Sequence, residues 1–146
     1  MEIIVTDRES IEAGIIIHSA YVVISIHDPH KQRAKVRKQG GLRGVLYLAF
    51  HDAEPTAAME IPDDIKMMTP EQASQIWTFV DQHMAKVGVI VVHCEQGMSR
   101  SPAVAAAISK SLGLDESRFW SEYQPNRHVY RSVLHAYAVR REGGSA

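Results

Sequence analysis

The chain has a single cysteine, Cys94, so no disulfide can form within it and its stability rests on a packed core. It has no surplus of either charge: 16 Lys and Arg face 17 Asp and Glu, a net of −1, which gives no global field toward nucleic acid or a membrane surface. No apolar run is long enough to span a bilayer, and no leader-like segment stands at the N-terminus. No unit repeats at a fixed period. The 8 histidines show no metal-ligand spacing; His27-x-x-His30 reads as a turn with solvated rings, and neither metal nor cofactor is expected. What remains is 146 residues, 45% hydrophobic, enough for one core. The expectation is one domain over residues 1–142 with a flexible C-terminal tail over 143–146, monomeric, in the reducing cytoplasm.

Strands alternate with helices along the chain. Ile3-Ile4-Val5 reads as a strand and Arg8 to Ala13 as a brief helix ending at Gly14. Tyr21 to Ile26 is a buried strand stopping at Asp28-Pro29, and Val45 to Phe50 is another ending in His51-Asp52. A helix starts with Thr69 as cap, Pro70 first and Gln72 in the capping-box position. Ala73, Ile76, Trp77, Val80 and Met84 make its apolar face, and Gly88 is read as closing it. Val87 to Val92 is the most apolar strand, and Pro102 to Ile108 lies in the next helix, which ends near Gly113. Asp115 can cap a short helix through Trp120, and Asn126 a last one with Val129, Tyr130, Val133, Leu134 and Tyr137 inward. This order predicts a single α/β domain: a central, mostly parallel sheet of four to five strands with helices on both faces.

Between the Val87–Val92 strand and the following helix stands His93-Cys94-Glu95-Gln96-Gly97-Met98-Ser99-Arg100-Ser101. A strand-to-helix junction gathers backbone N–H groups and the positive end of a helix dipole, a ready cradle for an anion. Helix N-termini and nearby cations favour the thiolate, which is the nucleophilic form of cysteine. Gly97 allows a tight curl of the loop. Arg100 offers a rigid fork that matches two phosphate oxygens at once. Ser101 can donate its hydroxyl to the sulfur, and His93 can orient the loop through its ring nitrogens. Residues Glu95, Gln96, Gly97, Met98, Ser99 and Arg100 would supply the phosphate-binding N–H groups.

Cys, five residues, Arg, then Ser resembles the signature of the cysteine-dependent protein phosphatases, and His-Cys-x-x-Gly-x-Ser-Arg-Ser looks most like their small dual-specificity branch. The resemblance spans the Tyr21 strand to about Tyr137 and implies a tyrosine-phosphatase-like fold, with the loop at the carboxyl end of a central strand. It implies hydrolysis of phosphate monoesters through a phosphocysteine on Cys94, with Arg100 on the phosphate and Ser101 steadying the returning thiolate. It also implies an acidic residue on an upstream loop after another strand. Asp52, which lies 42 residues before Cys94, fits that place. Extra length from Glu54 to Met68 makes Asp63 and Asp64 competitors, otherwise read as a solvated acidic loop. Pro125-Asn126 resembles a pair that begins the last helix in this branch, where the asparagine braces the phosphate loop.

Local charge is less even than the total. Lys31, Arg33, Lys35, Arg37, Lys38 and Arg43 form a basic stretch, either a solvated loop or a flank of the mouth that attracts an acidic partner. Glu95, Gln96 and Met98 occupy loop positions where phosphoinositide phosphatases of this superfamily commonly carry basic residues. Glu95, if it faces the pocket, disfavours extra phosphates and favours a phosphorylated protein or peptide as the partner over an inositol lipid. Three classes stay open: a phosphoprotein phosphatase acting on phosphotyrosine and also phosphoserine or phosphothreonine; a phosphatase for a nucleotide, sugar or phosphoinositide; and a phosphate-binding module without turnover.

Overall fold

The computed structural model describes residues 1–55 and 60–144. Thr56 to Met59, inside the acidic insertion expected over Glu54 to Met68, and Ser145-Ala146 of the expected tail lie outside the described residues. The elements run β1 (Glu2–Asp7), α1 (Arg8–Ala13), β2 (Tyr21–His27), β3 (Leu42–Ala49), α2 (Pro70–His83), β4 (Val89–Cys94), α3 (Arg100–Ser111), α4 (Ser117–Glu122) and α5 (Arg127–Gly144). The four strands form one sheet in the order β1-β4-β2-β3, every pairing parallel. The two inner strands, β2 and β4, are buried almost throughout, which is why they read as unbroken apolar runs.

Helices lie on both faces, unequally. On one face α2, α3 and α5 pack over Val22, Ile24, Ile26, Ile90 and Val92. On the other, six-residue α1 and an extended segment carrying Ala34 and Val36 cover Tyr21, Val23, Val89 and Val91. The alternation of side chains along β2 and β4 divides the core this way. In α2 the capping box is complete: Gln72 N donates to Thr69 Oγ1 at 3.2 Å, and Thr69 N to Gln72 Oε1 at 3.0 Å. Gln72 Nε2 also donates to Ala49 O at 2.8 Å and so pins the helix to the end of β3. Trp77 Nε1 donates to Val133 O at 2.9 Å and joins α2 to α5.

Strand bounds shift by one to three residues, and three helices run differently from the sequence reading. Helix α2 ends at His83, not at Gly88, because Lys86 N turns back to His83 O at 2.8 Å. Gly88 instead leads into β4, where a Cβ would lie 3.1 Å from Ser19 Oγ. Asp115 accepts from Ser117 N at 2.9 Å, yet α4 starts only at Ser117 and continues to Glu122. Helix α5 carries through Gly143 to Gly144, so no tail begins at 143; extending an established helix by a residue adds a backbone bond without a new nucleus. No helix among the described residues is long and apolar enough to cross a membrane.

Candidate active site

All four strands are parallel, so their carboxyl ends share one edge of the sheet. There β4 delivers Cys94, β2 leads to Asp28, and β3 leads through Phe50 and His51 to Asp52. The chain after Cys94 curls into α3, and Gly97 takes φ +69°, where a Cβ would meet Thr6 O at 2.8 Å. Glycine is therefore required there twice, by conformation and by space. Donors outside the loop take its carbonyls: Arg8 N to Glu95 O at 3.2 Å, Gln124 N to Met98 O at 3.0 Å, Asn126 N to Ser99 O at 3.0 Å. Among the described residues no protein acceptor takes the backbone N–H groups of residues 95 to 99. Carbonyls bonded outward and N–H groups left over are the electrostatic arrangement of an anion cradle.

A cavity of about 260 Å³ opens over this loop, lined by Cys94, Arg100, Asp52, Asp28 and Lys31 together with Glu95, Gln96, Met98 and Ser99. Cys94 Sγ lies 3.1 Å from Ser101 Oγ, both buried. Arg100, 5% exposed, donates from Nη1 to Phe50 O at 2.7 Å and to Asp28 Oδ1 at 2.8 Å. Both bonds leave from one nitrogen, so the Nε and Nη2 edge of the guanidinium keeps its capacity for an anion. Asp52 Oδ1 accepts from Ser99 Oγ and from Asn126 Nδ2, each at 2.8 Å. Ser99 thus spends its hydroxyl on Asp52 and caps α3 with no side-chain bond.

Of the three aspartates weighed from sequence, Asp52 reaches the cavity. Asp63 and Asp64 are exposed and do not line it; the Asp63 carbonyl accepts from Lys66 Nζ at 2.9 Å. His93 is fully buried on the α1 side of the sheet, its Nε2 2.6 Å from Ser25 Oγ and its Nδ1 3.3 Å from Cys94 O. A carbonyl only accepts, so Nδ1 carries the hydrogen and Nε2 accepts from the serine. Burial pushes its pKa down, holding the ring neutral. Asn126 braces differently from the expectation: its side chain donates to Asp52 and to Ala53 O (3.1 Å), accepts from Val129 N (3.0 Å) as the α5 cap, and only its backbone N–H reaches the phosphate loop.

Sequence reasoning missed Asp28 and Arg8 as site residues, and it named Lys31 only within a basic stretch read either as a solvated loop or as a flank of the mouth. Asp28 stands in the cavity wall; burial would raise its pKa, but the charge and hydrogen bond of Arg100, with Lys31 and His51, outweigh this and hold the carboxyl below its ordinary range. Lys31 Nζ lies 3.7 Å from Asp28 Oδ2 and is the one member of the basic stretch that lines the cavity. Arg8 lies in the first twenty residues, outside the span of the resemblance. Its Nη1 donates to Glu95 Oε1 at 2.8 Å, so the glutamate's charge is paired. The signal was Asp28-Pro29 at a strand end, but only the strand order puts β2 beside β4. His27 is not a solvated turn residue either; it closes β2, and its Nδ1 is buried without a hydrogen-bond partner among the described residues.

No family model and no curated protein matches the sequence. Among solved structures, the crystal structure of the human tyrosine phosphatase-like serine/threonine/tyrosine-interacting protein is similar with a TM-score of 0.52 and 20% identity, covering 88% of this chain and 81% of that one. The structure of PTPMT1 in complex with PI(5)P covers 86% of this chain and 81% of its own, at 13% identity and a TM-score of 0.47. The first likeness shows the architecture: this is an α/β domain with a tyrosine phosphatase-like fold, as the signature led us to expect.

Proposed function

We propose that this chain is a cysteine-dependent phosphatase that hydrolyses phosphate monoesters on proteins or peptides. One observation carries the reading: Cys94, Arg100 and Asp52 line a single cavity whose floor holds backbone N–H groups with no protein acceptor. The phosphate dianion settles on those N–H groups while the open edge of Arg100 clamps two of its oxygens. Cys94 Sγ attacks phosphorus in line; the S–P bond forms as the P–O bond to the leaving group breaks. Asp52 gives its proton to the departing oxygen. Water then attacks the phosphocysteine, Asp52 takes the water's proton, and the electron pair of the S–P bond returns to sulfur, steadied by the Ser101 hydroxyl at 3.1 Å.

Two carboxylates face the cavity, and their surroundings give them different roles. Asp28 is held ionised by Arg100 and orients the guanidinium together with Phe50 O. Asp52 receives both its hydrogen bonds on Oδ1, which leaves Oδ2 to carry a transferable proton. The charge balance supports a monophosphate substrate over a polyphosphate: Arg8 is spent on Glu95, and Asp28 offsets part of the positive charge of Arg100 and Lys31.

Hydrolysis of 4-nitrophenyl phosphate by wild type, Cys94→Ser and Asp52→Asn tests the proposal. Turnover that is inhibited by vanadate and abolished in Cys94→Ser is expected. A rate unaffected by Cys94→Ser would refute it, and full activity of Asp52→Asn on an alkyl phosphate would refute the acid assignment.

A further inference from the structure

A second cavity, of about 570 Å³, shares Asp52 and Ser99 with the phosphate pocket, and its remaining wall includes Trp120, Tyr123, Pro125 and Arg127. We infer that this cleft is the leaving-group subsite, and that its aromatic wall selects an aryl phosphate, a phosphotyrosine side chain, over an alkyl one. The inference rests on the phosphatase reading above and extends it to the part of the substrate beyond the ester oxygen.

The placement follows from the chemistry. A general acid must touch the leaving oxygen, so the group attached to that oxygen lies against Asp52. The cavity that continues past Asp52 is this cleft. Its wall is fixed relative to the phosphate loop, because Gln124 N bonds Met98 O and Asn126 N bonds Ser99 O, both at 3.0 Å. The same segment carries the Asn126 amide that holds Asp52. Acid, cradle and cleft therefore form one rigid unit.

Trp120 is built as a platform. It is 38% exposed, an unusual state for the largest apolar side chain, yet it is pinned. Nε1 donates to Glu116 Oε1 at 2.8 Å, and the ring meets Tyr130 edge-on at 4.9 Å. Tyr130 OH donates to that same Glu116 oxygen at 2.7 Å, so one carboxylate fixes both rings. An indole held still with a face open to a cavity loses little conformational freedom when a second ring packs on it. An alkyl phosphate leaves that face uncovered.

The test uses the Cys94→Ser protein, which binds without turnover, titrated with free phosphotyrosine, phosphoserine and inorganic phosphate while tryptophan emission is read. The other tryptophan, Trp77, is 1% exposed, so a change in emission on binding reports Trp120. Phosphotyrosine should change emission saturably and bind roughly three- to tenfold more tightly than phosphoserine, the range that aromatic packing supplies. Phosphoserine and inorganic phosphate should compete for the site while leaving emission unchanged. Adding Trp120→Ala should bring the two amino acids to equal affinity, and Trp120→Phe should restore the preference. Equal affinities without the tryptophan change, or a preference that survives Trp120→Ala, would overturn the subsite. Failure of all three anions to bind would overturn the phosphate pocket itself, and the subsite with it.

Discussion

Asn126 makes three side-chain bonds that stabilise and position at once, and two substitutions separate these roles. In Asn126→Ala the α5 cap to Val129 N is lost, at about 1 kcal/mol. The bond to Ala53 O contributes about another 1 kcal/mol. The bond to Asp52 contributes no more than about 0.5–1 kcal/mol, since that carboxylate is exposed. The total of about 2–3 kcal/mol corresponds to a fall in Tm of roughly 6–10 °C for a domain of this size. Catalysis should suffer separately, because Asp52 keeps only the Ser99 donor. A positioned acid contributes about 10²–10⁴-fold, and loosening one of its two supports should cost about ten- to a hundredfold on an alkyl phosphate. With 4-nitrophenyl phosphate, whose leaving group needs little protonation, the loss should stay under about threefold. Asn126→Asp keeps an oxygen for Val129 N and should melt closer to wild type, but it removes the donor to Asp52 and opposes two carboxylates. It should therefore show the alkyl-selective rate loss with less of the thermal loss. The assay is the ratio of kcat on the two esters beside a melting curve. An Asn126→Ala protein that melts early with an unchanged ratio would reduce Asn126 to a cap and refute its part in catalysis.

Ser101→Ala should slow release of the thiolate, so rapid mixing should show a burst of nitrophenol followed by a steady rate lowered about tenfold, with phosphocysteine accumulating. Gly97→Ala should destabilise the fold by roughly 1–3 kcal/mol in urea and abolish vanadate inhibition, because the added Cβ meets the Thr6 backbone and the φ of +69° is strained. Asp28 has a pKa held below its ordinary 3.8, so its stabilisation is present above that value and is lost as pH falls through the depressed one. Urea midpoints of wild type and Asp28→Asn should accordingly differ at pH 7 and converge in acid once Asp28 is protonated in the folded protein; a gap that persists there would remove the Arg100 charge as its cause.

Much of the site was legible because its parts are contiguous. Cys94 to Ser101 fall within one strand–loop–helix unit, and local rules place the thiol, the curl at Gly97 and the guanidinium together. The Thr69 cap and the buried runs of β2 and β4 were readable for the same reason, since capping and alternation are short-range. The fate of each side chain across space was not. Nothing within the Pro125-Asn126 pair says whether its amide turns to the phosphate loop or to Asp52, and Ser99 read as a loop residue rather than a donor to that carboxylate.

By itself the sequence determined an α/β domain, a candidate nucleophile and candidate anion cradle at a strand end, and three candidate aspartates for the acid. Of the three aspartates, tertiary structure brought only Asp52 to the cavity, because the parallel β3 and β4 end at one edge of the sheet, and it placed Asp28 and Lys31 in the pocket, paired Glu95 with Arg8, and opened the Trp120 cleft beside Asp52. The division has one physical cause. Backbone conformation and hydrophobic periodicity act over a few residues, whereas ion pairs and cavity walls depend on which strand ends become neighbours when the core closes.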